Sequence, residues 1–279
     1  MAHLYISDTL QADDCQPGAL VHLGGAEARH AVTVSRIHAG ESLLLGNGSG
    51  LMLEGTVDSV QAGTGAQLTL RVATVTHVPR PGPRIRLVQA LAKGDRDEMA
   101  VQAATELGID GIVPWLAARS VSRWEGAKIA KGRDRWSTIV REASKQSLRA
   151  WLPAVAELSS TKQLARLAGT SRMLLLEPTA ALRLTELPGL TGLPGLPGVT
   201  DSTGLTDPNA AGDRTGHADA DTQPEILLVV GPEGGISPAE LTLLGDAGAT
   251  AVRLGDTVLR TSTAGPAALA VLNAMLGRW

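Results

Sequence analysis

The sequence lacks the features that would place the protein in a membrane, in an oxidising compartment or around a metal ion. One cysteine, Cys15, occurs among 279 residues, so no internal disulfide can form, and no cysteine and histidine residues have zinc-binding spacing. No apolar run approaches the roughly 20 residues that a membrane helix needs. The start of the chain, Met1 to Tyr5, has no basic segment followed by an apolar one, as a signal peptide would. We therefore expect a cytoplasmic protein with no metal and no membrane segment.

The chain also has little net charge. It contains 28 acidic and 25 basic residues, a balance of −3, which by itself argues against a polyanionic partner. The distribution is uneven, however, because residues 80–187 carry 18 bases against 11 acids while the rest of the chain is acidic. The average therefore conceals a basic region.

Most of this positive charge lies in residues 119–149, where nine bases face three acids. Trp124, Trp136 and Trp151 are interleaved with them. A solvated helix surface over a tryptophan-containing core is the simpler interpretation for any single arginine. Basic clusters with aromatic rings are nevertheless typical of RNA contact, so the cluster as a whole favours a nucleic-acid partner.

Residues 1–79 have the pattern of a small all-β domain. Short apolar runs such as 43–45 and 51–53 are separated by a glycine-rich stretch at 46–50 that is typical of a hairpin. One helix is predicted at about residues 25–36. A β-barrel is the natural closure for such a domain, because it removes exposed sheet edges.

Two segments interrupt the pattern of regular elements. Three prolines fall within residues 79–83, which predicts a linker and a domain boundary. Residues 188–224 are rich in glycine, proline, aspartate and threonine and have little to bury, which predicts a flexible insertion. A recognition loop is the alternative for this insertion, although it lacks aromatic and basic anchors.

From residue 84 onward, strand and helix patterns alternate, which predicts a mostly parallel sheet with helices on both faces. The predicted strands lie at 85–90, 109–115, 172–177, 225–230 and 251–254. The predicted helices lie at 97–107, 128–147, 237–247 and 263–277.

A glycine-rich turn gives the sharpest local signal. The strand 228–230 runs into Gly231–Gly235, and a helix then begins with Ser237 as N-cap and Glu240 completing a capping box. The spacing matches neither a phosphate-binding Walker loop nor a dinucleotide fingerprint. A tight strand-to-helix turn is the simpler interpretation of such a motif alone.

Two further strands end in loops, at 174–178 and 254–265, and Ser262 or Thr263 is predicted to cap the helix after the second. Because the carboxyl ends of parallel strands share one edge of a sheet, the three loops should converge on one ligand crevice. Arg260 would need an anionic partner or a site if it were buried, and a surface salt bridge is the alternative. His30 is a possible RNA contact, with an ordinary half-buried histidine as the simpler interpretation.

Four segments together resemble the RsmE family, the 16S ribosomal RNA uridine N3-methyltransferases of the knotted SPOUT class: 231–235, 254–264, 93–119 and 142–149. The resemblance covers nearly the whole chain. It implies a PUA-like RNA-binding barrel at 1–79 and an α/β methyltransferase domain at 80–279 with a C-terminal trefoil knot. It also implies S-adenosylmethionine as cofactor, a homodimer whose active sites use both subunits, and 16S rRNA within the small ribosomal subunit as partner.

The resemblance assigns roles to individual residues. Arg260 would stabilise the uracil anion that forms when N3 loses its proton, and Glu142 would contact the target base or the partner subunit. The implied cofactor-binding residues are Leu176, Glu177, Pro178, Gly231, Glu233, Gly235, Leu254, Leu259, Arg260 and Thr261. The implied RNA contacts are His30, Arg36, Lys93, Arg96, Arg119, Arg123, Lys145, Gln146 and Arg149.

One position departs from the family pattern. Ser262 stands where many members have a glutamate, so the proton acceptor is left open. Two other functions also remain open: a SPOUT methyltransferase acting on tRNA or 23S rRNA, and a non-catalytic RNA-binding protein.

Overall fold

The structure is a computed structural model, and it describes residues 3–188 and 225–279. Nearly all of the predicted insertion at 188–224 lies outside the described residues. The chain forms two compact units, Met1–Arg80 with Asp134–Ala154, and Pro81–Arg133 with Val155–Trp279. Residues 134–154 thus group with the N-terminal segment, although the sequence pattern placed them in the domain 80–279.

The first unit contains a five-stranded sheet in the order β1-β3-β4-β5-β2. Its strands are β1 (His3–Ile6), β2 (Leu20–Leu23), β3 (Ser42–Gly46), β4 (Leu51–Gln61) and β5 (Gln67–His77). β1 pairs with β3 in parallel, and the other pairs are antiparallel. The β3–β4 pair confirms the hairpin predicted around residues 46–50.

Six α-helices are present among the described residues: α1 (Gly25–Arg29), α2 (Arg96–Glu106), α3 (Ala127–Gln146), α4 (Thr161–Ala168), α5 (Pro238–Asp246) and α6 (Thr261–Met275). α1 continues as a π-helical turn over His30–Val34, and together they occupy most of the predicted helix 25–36. α4 was not predicted. Within the described ranges, no helix is long and apolar enough to cross a membrane.

The end of α3 is tied to the N-terminal segment by buried and half-buried charges within the first unit. The Arg141 guanidinium donates to the Ile6 carbonyl at 2.6 Å and to a Glu27 carboxylate oxygen at 3.3 Å. The Lys145 ammonium donates to both oxygens of Glu27, each at 3.3 Å. Arg141 also pairs with Asp8. These bonds explain why residues 134–154 belong to this unit.

The interleaved tryptophans are engaged in protein packing. Trp136 is fully buried, and the Trp151 indole N–H donates to the Val78 carbonyl at 2.9 Å. The Trp151 ring lies so close to Gly50 that a Cβ there would be 2.7 Å from it, and Trp124 packs even more closely on Gly132. Trp136 is therefore a core residue, as the simpler interpretation predicted, while Trp124 and Trp151 are half-buried and are held by packing within the protein.

The second unit contains a seven-stranded sheet in the order β12-β10-β11-β6-β7-β8, with β9 also paired to β7. Its strands are β6 (Arg84–Ala90), β7 (Gly111–Leu116), β8 (Ala154–Val155), β9 (Ser159–Ser160), β10 (Arg172–Leu176), β11 (Glu225–Val230) and β12 (Thr250–Val252). β6, β7, β9, β10, β11 and β12 are linked by parallel pairs. The predicted α/β class with a parallel sheet is confirmed.

Alternating side chains on these strands bury both faces of the sheet. Val88 and Val229 share a hydrophobic cluster with Leu164 of α4 and Leu244 of α5. On the opposite face α6 packs with α2 and contacts β11. Gly265 permits that approach, since a Cβ there would lie 2.9 Å from a Leu87 methyl group.

The two predicted helix starts have different outcomes. The capping box of Ser237 and Glu240 is present at the start of α5, as predicted. The predicted cap of the last helix is wrong: α6 begins at Thr261, with Arg260 as N-cap and no side-chain cap bond. Ser262 and Thr263 therefore lie inside the first turn, where their hydroxyls cannot cap it.

Glu240 joins three segments of the second unit. One carboxylate oxygen accepts from the Ala118 N–H at 2.8 Å and the Thr161 hydroxyl at 2.9 Å, and the other accepts from the Ser237 hydroxyl at 2.8 Å. Burial opposes ionisation, but these hydrogen bonds outweigh it and lower the pKa of Glu240 below 4.5. The carboxylate therefore stabilises the fold.

We predict that Glu240→Ala lowers the free energy of unfolding by roughly 3 kcal/mol at pH 7, because several part-buried donors lose their acceptor. The exposed Asp246→Ala on the same helix should change it by less than about 0.5 kcal/mol. Since the folded pKa is lowered, the difference between wild type and Glu240→Ala should narrow as the pH falls below 4.5. Urea unfolding at several pH values measures both effects, and equal losses from the two variants would contradict the assignment.

Candidate functional site

A crevice of about 340 Å³ lies at the carboxyl ends of three strands in the second unit. β10 lies between β12 and β11, so the loops that follow these strands begin side by side. The loops come from distant parts of the chain, after Leu176, Val230 and Val252. The sheet therefore assembles one site from three separate segments.

All ten residues that the resemblance assigns to cofactor binding border this crevice. Leu176, Leu254 and Leu259 supply apolar side chains, while the turns between them bring backbone groups to the surface of the crevice. An apolar lining with a few fixed polar groups is typical of small-molecule sites. Ile236, Val258 and Ala264 also border the crevice and were not predicted.

The glycine turn after β11 is closely packed. A Cβ on Gly231 would lie 2.8 Å from an Ile236 side-chain carbon. Gly235 has a φ of +72°, a conformation that residues with a side chain seldom adopt, and its N–H donates to the Pro232 carbonyl at 2.8 Å. The backbone of this turn can therefore approach a ligand closely.

The loop after β10 is held at its first residue. The Glu177 N–H donates to the Val252 carbonyl at 2.9 Å, which ties this loop to β12. The Glu177 carboxylate accepts from the Thr179 hydroxyl at 2.8 Å. Glu177 is thereby fixed at the border of the crevice.

Arg260 lies on the third loop, immediately before α6. Its side chain is exposed, and within the described part of the chain it has no ion-pair partner. The loop itself is held by an ion pair of 2.6 Å between Arg253 and Asp256. Arg260 is thus a cation at the border of the crevice.

A buried hydroxyl connects two of the loops to the sheet. The Gln89 side-chain amide on β6 donates to the Thr261 hydroxyl at 3.0 Å, and that hydroxyl donates to the Gly231 carbonyl at 2.9 Å. Gln89 is fully buried. Sequence reasoning did not identify it, although a glutamine within a buried apolar strand is a signal, because its amide must find partners.

Three of the predicted RNA contacts also form hydrogen bonds with the glycine turn, Lys93 through its backbone. The Lys93 N–H and the Arg96 guanidinium donate to the Glu233 carboxylate at 3.0 and 3.2 Å. The Arg119 guanidinium donates to the Gly234 carbonyl at 2.9 Å. These residues therefore hold the turn in place, a role that the sequence pattern did not indicate.

The remaining predicted residues are placed as follows. Arg36 and Arg123 are exposed, and Arg149 is half-buried. Lys145 is only 8% exposed and is paired with Glu27 and Glu142. Glu142, Gln146, Lys145 and His30 border a second pocket, within the first unit, and not the crevice of the second.

Asp97 is a buried carboxyl group at the start of α2, with 5% of its surface exposed. It accepts from the N–H groups of Ala92 and Glu98 at 3.0 and 2.9 Å, so it holds the segment that leads to Lys93. Burial raises its pKa from 3.8 to about 6, and the hydrogen bonds only partly oppose this.

Known proteins match this chain both over the second-unit residues that form the crevice and over its full length. Residues 79–273 match the RNA methyltransferase domain family. The chain is 39% identical over 284 residues to the ribosomal RNA small subunit methyltransferase E of Mycobacterium bovis, covering 100% of this chain and 94% of that protein.

Solved structures resemble the chain over nearly its full length. A methyltransferase of Legionella pneumophila, solved with its cofactor S-adenosylmethionine bound, is 28% identical, with a TM-score of 0.75 over 98% of this chain and 96% of that one. A ribosomal RNA small subunit methyltransferase E of Neisseria gonorrhoeae is 23% identical, with a TM-score of 0.74 over 99% and 98%. The latter likeness concerns the fold alone.

We predict that Asp97 makes stability fall with rising pH. A carboxyl group with a folded pKa of about 6 and an unfolded pKa of 3.8 stabilises the fold while it is protonated, and this stabilisation is lost as the pH rises through 6. The free energy of unfolding of wild type, relative to Asp97→Asn, should fall by about 2 kcal/mol between pH 4 and pH 7. The exposed Asp95→Asn is the control, and parallel pH profiles for wild type and Asp97→Asn would disprove the assignment.

We also predict that Thr261→Val lowers the free energy of unfolding by about 1–3 kcal/mol, because the Gly231 carbonyl loses its donor and Gln89 loses an acceptor. Thr261→Ser keeps the hydroxyl and should lose much less. Amide hydrogen exchange in residues 231–236 should accelerate in the valine variant alone. Equal exchange in the two variants would show that the hydroxyl does not hold the turn.

Proposed function

Because the chain belongs to the ribosomal RNA small subunit methyltransferase E family, we propose that it transfers the methyl group of S-adenosylmethionine to N3 of a specific uridine in 16S ribosomal RNA. The chain is an S-adenosylmethionine-dependent RNA methyltransferase. The observation that carries the proposal is the crevice, in which all ten residues expected to bind the cofactor meet.

The crevice suits S-adenosylmethionine in size and in chemistry. Its volume of about 340 Å³ falls within the range of small-molecule sites. Leu176, Leu254 and Leu259 would supply apolar contacts to the cofactor, and backbone groups of the three loops would form hydrogen bonds with its adenine. When bound, the cofactor supplies a methyl group on a sulfonium, which is a good leaving group.

The chain's own residues must position the base and stabilise charge. Transfer to uridine N3 would require the N3 proton to pass to a base or to water, with S-adenosylhomocysteine as the leaving group. Arg260 would stabilise the uracil anion as a fixed cation beside the crevice. Glu142 would contact the target base or a partner subunit, and Ser262 cannot supply the carboxylate that many relatives have at its position.

The finer architecture follows from the same family membership. We infer that the first-unit sheet is a PUA-like barrel that binds RNA, and that the loops of the crevice form a trefoil knot. We also infer a homodimer that acts in the cytoplasm on RNA within the small ribosomal subunit. The parallel sheet and the three converging loops support the knot, and the mixed five-stranded sheet supports the barrel.

Arg260→Ala should reduce methyl transfer by at least about 100-fold while leaving the fold intact, because a fixed cation is lost from the reacting base. The exposed Arg166→Ala in the same unit is the control. Transfer of labelled methyl groups to 16S rRNA or small subunits from a deletion strain, with mass mapping of the product, measures the rate and position. Unchanged transfer by Arg260→Ala would remove its assigned role.

Titration calorimetry with S-adenosylmethionine tests the function itself. We expect that the wild type binds S-adenosylmethionine and that it produces N3-methyluridine in 16S rRNA. Methylation mapped to tRNA, 23S rRNA or a ribose would indicate a SPOUT enzyme with another substrate. Absence of cofactor binding by the wild type would indicate a non-catalytic RNA-binding protein.

A further inference from the structure

A second pocket of about 310 Å³ lies within the first unit, and it has the features of a binding site. We call it the Tyr5 pocket, and its border includes His3, Tyr5, His30, Ser35, Gln146 and Leu148. The residues come from β1, from the turn after α1 and from the end of α3. We propose that the Tyr5 pocket receives one unpaired nucleobase of the RNA substrate, an inference that rests on the proposed function.

The pocket contains a buried polar atom without a partner. Tyr5 is 2% exposed, and its hydroxyl has no hydrogen-bond partner of normal geometry among the described residues, although Ser35 lies beside it. A buried hydroxyl without a hydrogen-bond partner lowers the stability of the fold, and a polar group of a ligand would supply that partner. Burial raises the pKa of Tyr5, so the hydroxyl remains a donor at neutral pH.

The rim of the pocket includes a backbone conformation that is unfavourable for its residue. Leu148 has a φ of +56°, and the residue is 44% exposed. Helices commonly end with a glycine in this conformation, since a side chain is strained there. The leucine therefore presents an apolar group beside the pocket at a cost in stability, which points to a use in binding.

The charges around the pocket favour a neutral ligand over a phosphate. The Lys145 ammonium is already bound by Glu27 and by Glu142 at 2.9 Å. The neighbouring Arg141 is bound by Glu27 and Asp8. Three carboxylates thus face two cations, so no positive charge is left over to attract an anion.

The polar groups and rings that remain suit a nucleobase. The His30 ring stands edge-on to the Tyr5 ring, with centroids 6.2 Å apart and an interplanar angle of 84°. The Gln146 amide, the Ser35 hydroxyl and the Tyr5 hydroxyl offer both donors and acceptors to a planar edge. Proteins read single-stranded RNA by this combination of ring contact and hydrogen bonds to an unstacked base.

The experiment measures binding of ten-nucleotide single-stranded RNAs (uridine, cytidine and adenosine homopolymers) and of an abasic ribose-phosphate chain of the same length. Fluorescence anisotropy at fixed salt with the full-length protein gives each affinity. His30→Ala and Gln146→Ala should weaken binding of at least one homopolymer by about tenfold. The exposed His38→Ala and Gln61→Ala in the same unit should not. Binding of the abasic chain should be weak and unaffected by all four variants.

Leu148→Gly separates a binding role from a structural one. It should keep or raise the melting temperature, because glycine tolerates the left-handed conformation, and it should still weaken homopolymer binding. Photo-crosslinking of a 4-thiouridine RNA should mark peptides that contain Tyr5, His30 or Gln146.

The outcomes separate this proposal from the proposed function. Equal binding of the abasic chain, or unchanged affinity in the three pocket variants, would overturn the Tyr5 pocket as a base site even if wild type methylates RNA. Loss of base binding in those variants would support the pocket even if wild type fails to bind S-adenosylmethionine.

Discussion

The pairing of β10 between β11 and β12 is the constraint on which the crevice depends. In a parallel sheet, all strands end at the same edge, so three loops that lie far apart in sequence begin next to one another. Hydrogen bonds then hold the glycine turn: the Thr261 hydroxyl donates to the Gly231 carbonyl, and the Arg119 guanidinium donates to the Gly234 carbonyl. A ligand would meet backbone groups that are already ordered, so little conformational entropy would be lost on binding.

Much of this arrangement could be predicted from the sequence, because it follows from the spacing of apolar residues and from the order of strands and helices along the chain. The apolar strand at 225–230 and the capping box at Ser237 are local signals, and both are confirmed. Convergence of the loops followed from the parallel connection alone. Gln89 was not identified, because the hydrogen-bond partners of a buried polar residue are known only from the three-dimensional structure. α4 was not predicted, although its amphipathic pattern is strong, because it is only eight residues long.

The basic cluster shows why a count of charges overstates a binding surface. Arg119 and Arg133 donate to carbonyls of the second unit, while Arg141 and Lys145 are bound by carboxylates of the first. Apart from Glu142, which pairs with Lys145, these partners lie outside residues 119–149, so the segment alone could not reveal them. Lys128 and Lys131 are exposed and are better candidates for long-range attraction of RNA. The tryptophans also have partners within the protein, since Trp136 is buried in the core and Trp151 donates to the Val78 carbonyl.

Because residues 134–154 pack in the N-terminal unit, the two units cannot fold one after the other during synthesis. During synthesis the first sheet is complete at Arg80, yet Glu27 has no basic partner from α3 until Arg141 and then Lys145 have left the ribosome. By then more than fifty residues of the second unit have already emerged, so the two units mature in an interleaved order and not one after the other. For the same reason, neither unit can be exchanged between relatives as a single contiguous segment.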